Sequence, residues 1–178
     1  MTSTLPTPTA APFAIQLVTE IDTIDAQAWN ALTDGTPFTQ HAFLSALAAS
    51  KSVGDGTGWT SYFITIKDAS SQLVGAIPVY LKTHSYGEYV FDWAWADAYA
   101  RNGLSYYPKL VSAVPFTPVT CAKLLSRSPE VSQLLVHSLS QVMMQHQVSS
   151  AHVLFPADMC LPYFEEAGWL KRDGVQFR

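Results

Sequence analysis

The stretch Trp59–Lys82 reads WTSYFITIKDASSQLVGAIPVYLK and decides the fold. Two apolar, β-branched runs, Trp59–Lys67 and Gln72–Lys82, flank the turn sequence Asp-Ala-Ser-Ser, which is the pattern of a β-hairpin. The second run is almost continuously apolar, and this predicts a strand that is buried on both faces. Pro78 within that run lacks a backbone N–H, so we expect a bulge or an unpaired stretch at this position.

The segments on either side of the hairpin alternate between extended and helical patterns. Before it, the sequence predicts a strand at Phe13–Val18 and helices at Asp22–Leu32 and Thr39–Ser50. The predicted elements after it are, in order, a short helix at Asp92–Arg101, a strand at Lys109–Phe116, a long helix at Pro129–Gln147 that Ser128 begins, a strand at Ala151–Phe155, a helix at Met159–Ala167 and a strand at Trp169–Phe177. This order predicts a mixed α/β sheet with helices on both faces.

The composition of the 178-residue chain is that of a soluble globular domain. Charged residues make up 13% of the chain and hydrophobic residues 48%, a balance that excludes a disordered protein. A net charge of −4 argues against general nucleic-acid binding. No apolar run reaches the ~18–20 residues that a membrane span requires. We expect residues 1–12 to be a disordered tail and residues 13–178 to form one domain.

The N-terminal and cysteine patterns favour a cytoplasmic protein without a metal site. The first 50 residues contain no Lys or Arg, so neither a secretory signal nor a transit peptide fits. Cys121 and Cys160 do not form a disulfide framework, and no histidine pair has the spacing of metal ligands. His152 lies in a predicted buried strand and is expected to be a structural histidine. The scarcity of charge also predicts an uncovered apolar face, which a second copy would cover in a homodimer.

An aromatic block, His84–Leu110, contains most of the candidate site residues and reads HSYGEYVFDWAWADAYARNGLSYYPKL. Its carboxylates Glu88, Asp92 and Asp97 are candidates for a general base, because aromatic surroundings raise the pKa of a carboxyl group towards neutrality. Two of them have local alternatives: Asp92 as the N-cap of the predicted helix, and Asp97 as the i+4 partner of Arg101. Glu88 has no such local explanation.

The other polar and aromatic groups of the block suggest contacts with a substrate. Tyr106 or Tyr107 could donate to an oxyanion or protonate a leaving thiolate, and we expect only one of them to face a site, since neighbours on an extended chain point to opposite faces. The alternatives are core tyrosines and, for Lys109, a surface lysine. The candidate catalytic residues are therefore Glu88, Asp92 and Tyr107, and the candidate substrate contacts are His84, Trp95, Tyr106 and Lys109.

Several stretches of the chain together resemble one bacterial family. They are Thr36-Pro37-Phe38, Gly58-Trp59, the aromatic block, AVPFTPVT (113–120), SAHVLF (150–155) and GVQF (174–177). The chain resembles the FemAB-like "peptidoglycan biosynthesis/recognition" family of the GNAT acyltransferase superfamily. The resemblance implies a mixed, mostly antiparallel sheet flanked by helices, with the aromatic block as a helical insertion. It also implies transfer of an acyl or aminoacyl group, from acyl-CoA or aminoacyl-tRNA, to an amine of a small molecule, peptide or cell-wall precursor.

Two departures from the family pattern affect these expectations. Family members have tandem GNAT-like halves, so the chain is expected to correspond to the first half. After PFTPVT the family carries Gly-Pro-Arg, and here the residues are Cys-Ala-Lys. In a GNAT fold this is the turn from strand to helix that binds the pyrophosphate of the cofactor, so the candidate cofactor contacts are Thr120, Cys121, Ala122 and Lys123. The changed turn keeps a second interpretation open: a non-catalytic module that binds a peptide or cell-wall precursor, or an inactive half of a tandem enzyme.

Overall fold

The computed structural model describes residues 13–90 and 92–174, so the predicted tail at residues 1–12 lies outside the described residues. One sheet has the strand order β1-β2-β3-β4-β6, and β5 pairs with β3 next to β4. The strands are β1 (Phe13–Val18), β2 (Trp59–Asp68), β3 (Leu73–Lys82), β4 (Lys109–Ser112), β5 (Leu125–Ser126) and β6 (Ala151–Val153). The pair β4 and β6 is parallel, and the other pairs between described strands are antiparallel. The predicted mixed, mostly antiparallel sheet is therefore confirmed.

Helices flank this sheet, and the aromatic block contributes one of them. They are α1 (Ala26–Asn30), α2 (His41–Ala49), α3 (Trp93–Arg101), α4 (Pro129–Gln145) and α5 (Leu161–Glu166). The predicted first helix begins later than expected, because the Asp25 carboxylate accepts from the N–H of Ala28 at 2.7 Å and starts α1 there. In the part of the chain that the structure describes, no helix is long and apolar enough to cross a membrane.

The hairpin of β2 and β3 forms as its sequence predicts. Pro78 stays in register with β2, while the other edge of β3 pairs with β4 at residues 80–82 and with β5 at residues 75–76. The Pro78 carbonyl accepts a hydrogen bond from the Ser112 hydroxyl at 2.8 Å. The expected unpaired stretch is therefore the gap between β4 and β5.

The long helix α4 packs against this hairpin. Gly75 makes close packing possible, because a Cβ atom at this position would lie 2.4 Å from Cγ1 of Val131. The predicted apolar stripe of α4 faces the core, with Met143 half-buried and the others buried: Val131, Leu135, Leu139 and Val142.

Several predicted boundaries are wrong where the chain turns earlier than its apolar pattern suggests. The strand predicted at Lys109–Phe116 ends at Ser112, because Pro115 and the positive φ of Phe116 (60°) turn the chain away from the sheet. The strand predicted at Ala151–Phe155 ends at Val153, before the positive φ of Phe155 (50°). The long helix ends at Gln145, two residues early.

The C-terminal strand prediction is wrong for residues 169–174. These residues form no strand, and Leu170 is 94% exposed. The Trp169 ring packs edge-on against Phe164 of α5 at 5.3 Å instead, which satisfies its apolar character without a strand. Residues 175–177 of the predicted strand lie outside the described residues.

Candidate functional site

Two features lie towards opposite ends of β3. The first, the charged cluster, consists of Lys82, Glu88, Asp92 and Lys109, which are all buried. The second is an open cleft of about 400 Å³ beside β5, where α4 begins. Lys82 is six positions along β3 from Ala76, the nearer of the two residues that pair with β5, which corresponds to about 20 Å along an extended strand.

The charged cluster forms because the sheet brings two lysines side by side. Lys82 of β3 and Lys109 of β4 are cross-strand partners, so their side chains lie on the same face. Both are almost completely buried, with exposed fractions of 0% and 1%. The aromatic block supplies the compensating charges: Lys109 Nζ donates to Glu88 Oε2 at 2.8 Å and to the carboxylate of Asp92. The ion pairs therefore hold the aromatic block against the end of the sheet.

Lys82 has no carboxylate within ion-pair distance among the described residues. Its Nζ lies 3.6 Å from the centroid of the Trp59 ring and donates to the Tyr86 carbonyl at 3.2 Å. Burial lowers the pKa of Lys82 to about 8, and the charge of Glu88 opposes this shift. A lysine in this state exchanges its proton close to neutral pH.

The two carboxylates of the charged cluster are held in opposite states. Burial raises the pKa of Glu88 and outweighs the hydrogen bond from Lys109. Burial also acts on Asp92, but there the hydrogen bond and the charge of Lys109 prevail, and the pKa of Asp92 is lowered. The expected rise of the carboxyl pKa is therefore wrong for Asp92, because the sequence does not show that Lys109 bonds it. Oε1 of Glu88 is buried and has no hydrogen-bond partner among the described residues. Two carboxyl groups with pKa values shifted apart are a typical arrangement for proton transfer.

Tyr106 and Tyr107 both border the charged cluster, so the expectation that only one of them would do so is wrong. The ring centroids lie 5.6 Å and 5.8 Å from Lys109 Nζ. The strand alternation that the prediction assumed does not apply, because β4 begins only at Lys109. The Tyr107 hydroxyl donates to Asp92 Oδ1 at 3.1 Å, and the residue is half-buried. Tyr107 is thus a hydroxyl at the edge of the cluster in contact with a buried carboxylate.

His152 of β6 extends this polar network. Its Nε2 lies 2.9 Å from the Ser150 hydroxyl and 3.3 Å from the Tyr106 hydroxyl. Burial, together with the positive charge of Lys109, lowers the pKa of His152 to about 4, so the imidazole is neutral at neutral pH. The structure agrees with the expected hydrogen-bonded histidine in a strand.

The other candidates from the aromatic block lie outside the charged cluster. Asp97 pairs with Arg101 at 3.2 Å on the surface of α3, as its local alternative predicts. The His84 ring packs over Gly58, where a Cβ atom would meet Nε2 at 2.1 Å, and its Nδ1 accepts from the backbone N–H of Tyr86. Trp95 is 52% exposed on α3. Asp92 begins α3, but its side chain caps no helical N–H because it bonds Lys109 and Tyr107.

The cleft opens where two parallel segments separate. β4 and β6 pair at residues 110–112 and 151–153, and a further parallel bridge joins Cys121 to Pro156. Beyond this bridge one segment continues into β5 and α4, and the other into α5. The residues that line the cleft are Leu124, Ser126, Arg127, Ser128, Pro129, Ser132, Met159, Cys160 and Tyr163.

The turn from strand to helix lies at Arg127–Ser128, between β5 and α4, and not at residues 120–123 as the sequence motif suggested. Cys121, Ala122 and Lys123 are buried before β5, and Lys123 Nζ lies 2.8 Å from the Cys121 sulfur. The role of Thr120–Lys123 in cofactor binding stays a prediction.

A model of the family described as FemAB-like, peptidoglycan biosynthesis/recognition, matches residues 20–178. The chain belongs to the FemAB-like family. Among solved structures, the crystal structure of the aminoglycoside antibiotic 6'-N-acetyltransferase AAC(6')-Ih from Acinetobacter baumannii is similar, with a TM-score of 0.55 and 11% identity over 93% of this chain and 96% of that chain. No curated protein matches the chain. The FemAB-like resemblance and the GNAT-like fold are both confirmed.

The FemAB-like chain should become more stable between about pH 8 and pH 10 because of Lys82. The folded pKa of Lys82 lies near 8 and its ordinary value is 10.5, so in this interval the unfolded state binds more protons and the free energy of unfolding rises with pH. Lys82→Met removes this contribution. We expect the difference in unfolding free energy, wild type minus variant, to rise by up to ~1.4 kcal/mol per pH unit.

Urea unfolding at several pH values between 8 and 10 measures this difference. Lys171→Met is the matched control, because it makes the same substitution at a half-exposed lysine. A Lys82→Met difference that stays flat or falls over this interval would show that Lys82 keeps its ordinary proton affinity.

Proposed function

We propose that the chain is an N-acyltransferase that moves an acyl group from a thioester such as acyl-CoA to an amine. The observation that carries the proposal is the cleft that opens where the β4 and β6 segments diverge, directly at the beginning of α4. Support also comes from membership of the FemAB-like family and from the acetyltransferase with a similar fold.

The cleft has the charge distribution that a pyrophosphate requires. α4 is 17 residues long, and its N-terminus, which is the positive end of the helix dipole, lies at the cleft. The N–H groups of Glu130 and Val131 in this first turn have no partner within the helix. Arg127 is exposed and lines the cleft, and its Nε donates to the Ala31 carbonyl at 2.8 Å, which leaves the Nη groups of the guanidinium to pair with a phosphate. We therefore assign the anionic end of the donor to the cleft.

The charged cluster has the groups that acyl transfer requires. It lies about 20 Å along β3 from the cleft, so the donor has to extend along the sheet from one to the other. In the proposed reaction the amine nitrogen attacks the thioester carbonyl, so a C–N bond forms and the C–S bond breaks. Asp92 takes the amine proton, Tyr107 gives its proton to the leaving thiolate, and Asp92 returns a proton to Tyr107. Glu88 and Lys109 position Asp92.

The acceptor is proposed to be an amine on a peptide, an amino sugar or a cell-wall precursor. Four side chains of the aromatic block itself are exposed and offer flat apolar surfaces for such a molecule: Tyr86, Tyr89, Trp93 and Trp95. His84 and Tyr106 remain proposed contacts of the acceptor. We place the reaction in the cytoplasm, and the homodimer and the tandem second half also remain proposals.

The same exposed aromatics favour a second candidate function, a module that binds a cell-wall precursor without acylating it. The two functions differ in the cleft, because a binding module has no need of an acyl donor. An aminoacyl-tRNA donor is a further variant of the first function, which the net charge of −4 disfavours.

Titration with CoA tests the donor site, and we expect the wild-type chain to bind it. Arg127→Ala should weaken binding by about 10-fold or more, since a hydrogen bond to a charged group is worth roughly 1.5–3 kcal/mol. Arg101→Ala is the matched control: this arginine is also exposed but lies on α3 and should leave CoA affinity unchanged. The absence of CoA binding by the wild type, or equal losses in the two variants, would contradict the acyltransferase and favour the binding module.

A further inference from the structure

Cys121 and Lys123 form a buried pair that the proposed reaction does not use. They lie two residues apart between the β-bridge of Cys121 and β5, on a segment that bends at residues 123–124 and brings the two side-chain ends together. Lys123 Nζ is 2.8 Å from Cys121 Sγ, and the residues are 2% and 3% exposed. This separation is as short as a typical N–H···O hydrogen bond, although sulfur is the larger atom.

Nothing else nearby compensates a charge on Lys123. No carboxylate of the described residues lies within ion-pair distance of its Nζ, and the other polar contact is the Val119 carbonyl at 3.5 Å. The Cys121 sulfur is therefore the nearest polar partner of this buried nitrogen. A sulfur that can be oxidised is thus in direct contact with a nitrogen that can attack the oxidised sulfur.

We propose that Cys121 and Lys123 are a site of oxidative cross-linking, in which a single oxygen atom bridges the lysine nitrogen and the cysteine sulfur. The geometry favours this bridge over a direct N–S bond. An N–O bond and an O–S bond that meet at one oxygen span about the observed 2.8 Å between Nζ and Sγ. A direct N–S bond is shorter than the ~2.0 Å of a disulfide, so it would require the two side chains to move closer together.

Hydrogen peroxide is a sufficient oxidant for this step. The first peroxide converts the thiol into a sulfenic acid and leaves as water. In the overall reaction the thiol loses its hydrogen, the neutral amine loses one hydrogen, and two peroxide molecules yield three waters and the bridging oxygen. Sulfur and nitrogen each lose two electrons, and the two peroxides take up all four. Peroxide is small enough to reach a buried pair that larger reagents cannot approach.

The bridge would remove a nucleophilic thiol and a basic amine from the segment that leads into the cleft, whose wall begins at Leu124. A thiol reductant should reverse it, because an S–O bond to a sulfenyl sulfur is open to thiolate attack. The site is independent of the acyltransferase proposal, since its formation requires only the folded chain and an oxidant.

Mass spectrometry of the full chain after peroxide treatment tests the proposal. We expect the gain of one oxygen and the loss of two hydrogens, about 14 Da, located by peptide mapping to the segment with Cys121 and Lys123 and removed by a thiol reductant. Cys160→Ala should keep this product, and Cys121→Ser and Lys123→Arg should lose it. Wild-type chain oxidised in urea should also lack it, because unfolding separates the two side chains.

Three results would overturn the inference. Cys121 that gains only whole oxygen atoms is a simple oxidised thiol, and a product that loses two hydrogens without oxygen is a direct N–S bond. A 14 Da product that persists in Lys123→Arg would have another nitrogen as partner. Because the wild-type product and its urea control already decide the question, a variant that fails to fold leaves the test intact.

Discussion

Lys109→Met is expected to destabilise the protein by about 3–5 kcal/mol, the range typical of breaking a buried ion pair. The substitution leaves the carboxylates of Glu88 and Asp92 buried without the ammonium that bonds both of them. Lys82 cannot replace it, because Lys82 has no carboxylate within ion-pair distance in the described structure. Chemical denaturation at pH 7 measures the loss.

Arg101→Met is the matched control, because it breaks an ion pair of the same charge type on the surface. The Arg101 and Asp97 side chains are 79% and 72% exposed, and such pairs contribute little. We expect the control to stay within about 0.5 kcal/mol of wild type. A Lys109→Met variant as stable as this control would show that Glu88 and Asp92 do not depend on Lys109.

The pH dependence separates a lost ion pair from lost packing. Without Lys109, burial is left to raise the folded-state pKa of both carboxyl groups, so their protonated forms are favoured. A raised folded pKa gives stability that is present at low pH and lost as pH rises, and the deficit of the variant should therefore grow from pH 4 to pH 7. Adding Glu88→Gln and Asp92→Asn to Lys109→Met should recover part of the lost stability, because the two buried carboxyl groups are then replaced by neutral amides. This triple variant can be measured if Lys109→Met alone is too unstable.

The sequence predicts the elements of the fold well where local signals are strong. The hairpin of β2 and β3 follows from two apolar runs around a polar turn, and α4 follows from Pro129 at its first position and an apolar stripe. The wrong boundaries occur where a single residue with positive φ, such as Phe116 or Phe155, ends a strand within an apolar run. Composition does not reveal such residues.

The charged cluster is only half visible in the sequence. Glu88 is noticeable because no local partner explains it, and the structure pairs it with Lys109, 21 residues away. Lys82 is missed, since a lysine at the end of a strand normally reaches solvent. Its burial follows from the cross-strand register with Lys109 and from the Trp59 ring above it, and both are long-range features.

The cleft is misplaced in the sequence analysis for a related reason. The motif suggests that the chain enters the helix at residues 120–123, but β5 intervenes, and it is only two residues long. A strand of this length leaves no periodic pattern. The position of β5 depends on its pairing with residues 75–76 of β3, which lie on the other side of Pro78 from β4. This pairing depends on the arrangement of the whole sheet.

Tyr107→Phe is expected to lower the turnover of the proposed acyltransferase by about 100-fold or more, the usual effect of removing a general acid. Burial and the charge of Asp92 raise the pKa of Tyr107, so the hydroxyl keeps its proton well above neutral pH and can give it to a leaving thiolate. The KM for the donor should change little, since the cleft lies about 20 Å along β3 from this hydroxyl. Thiol release from acetyl-CoA, with glucosamine or short peptides as acceptors, measures turnover.

The control and the pH profile distinguish this role of Tyr107 from a structural one. Tyr62→Phe removes a hydroxyl from a half-buried tyrosine on β2, whose ring packs against His146, and should keep wild-type turnover. Loss of the Tyr107 bond to Asp92 should cost roughly 1.5–3 kcal/mol of stability, the usual contribution of a hydrogen bond to a charged group. Wild-type turnover should fall at high pH as Tyr107 ionises, and the variant should lack this fall because phenylalanine has no proton to lose. Turnover within threefold of wild type, with the alkaline fall retained, would exclude Tyr107 as the acid and leave its hydroxyl as a support for Asp92.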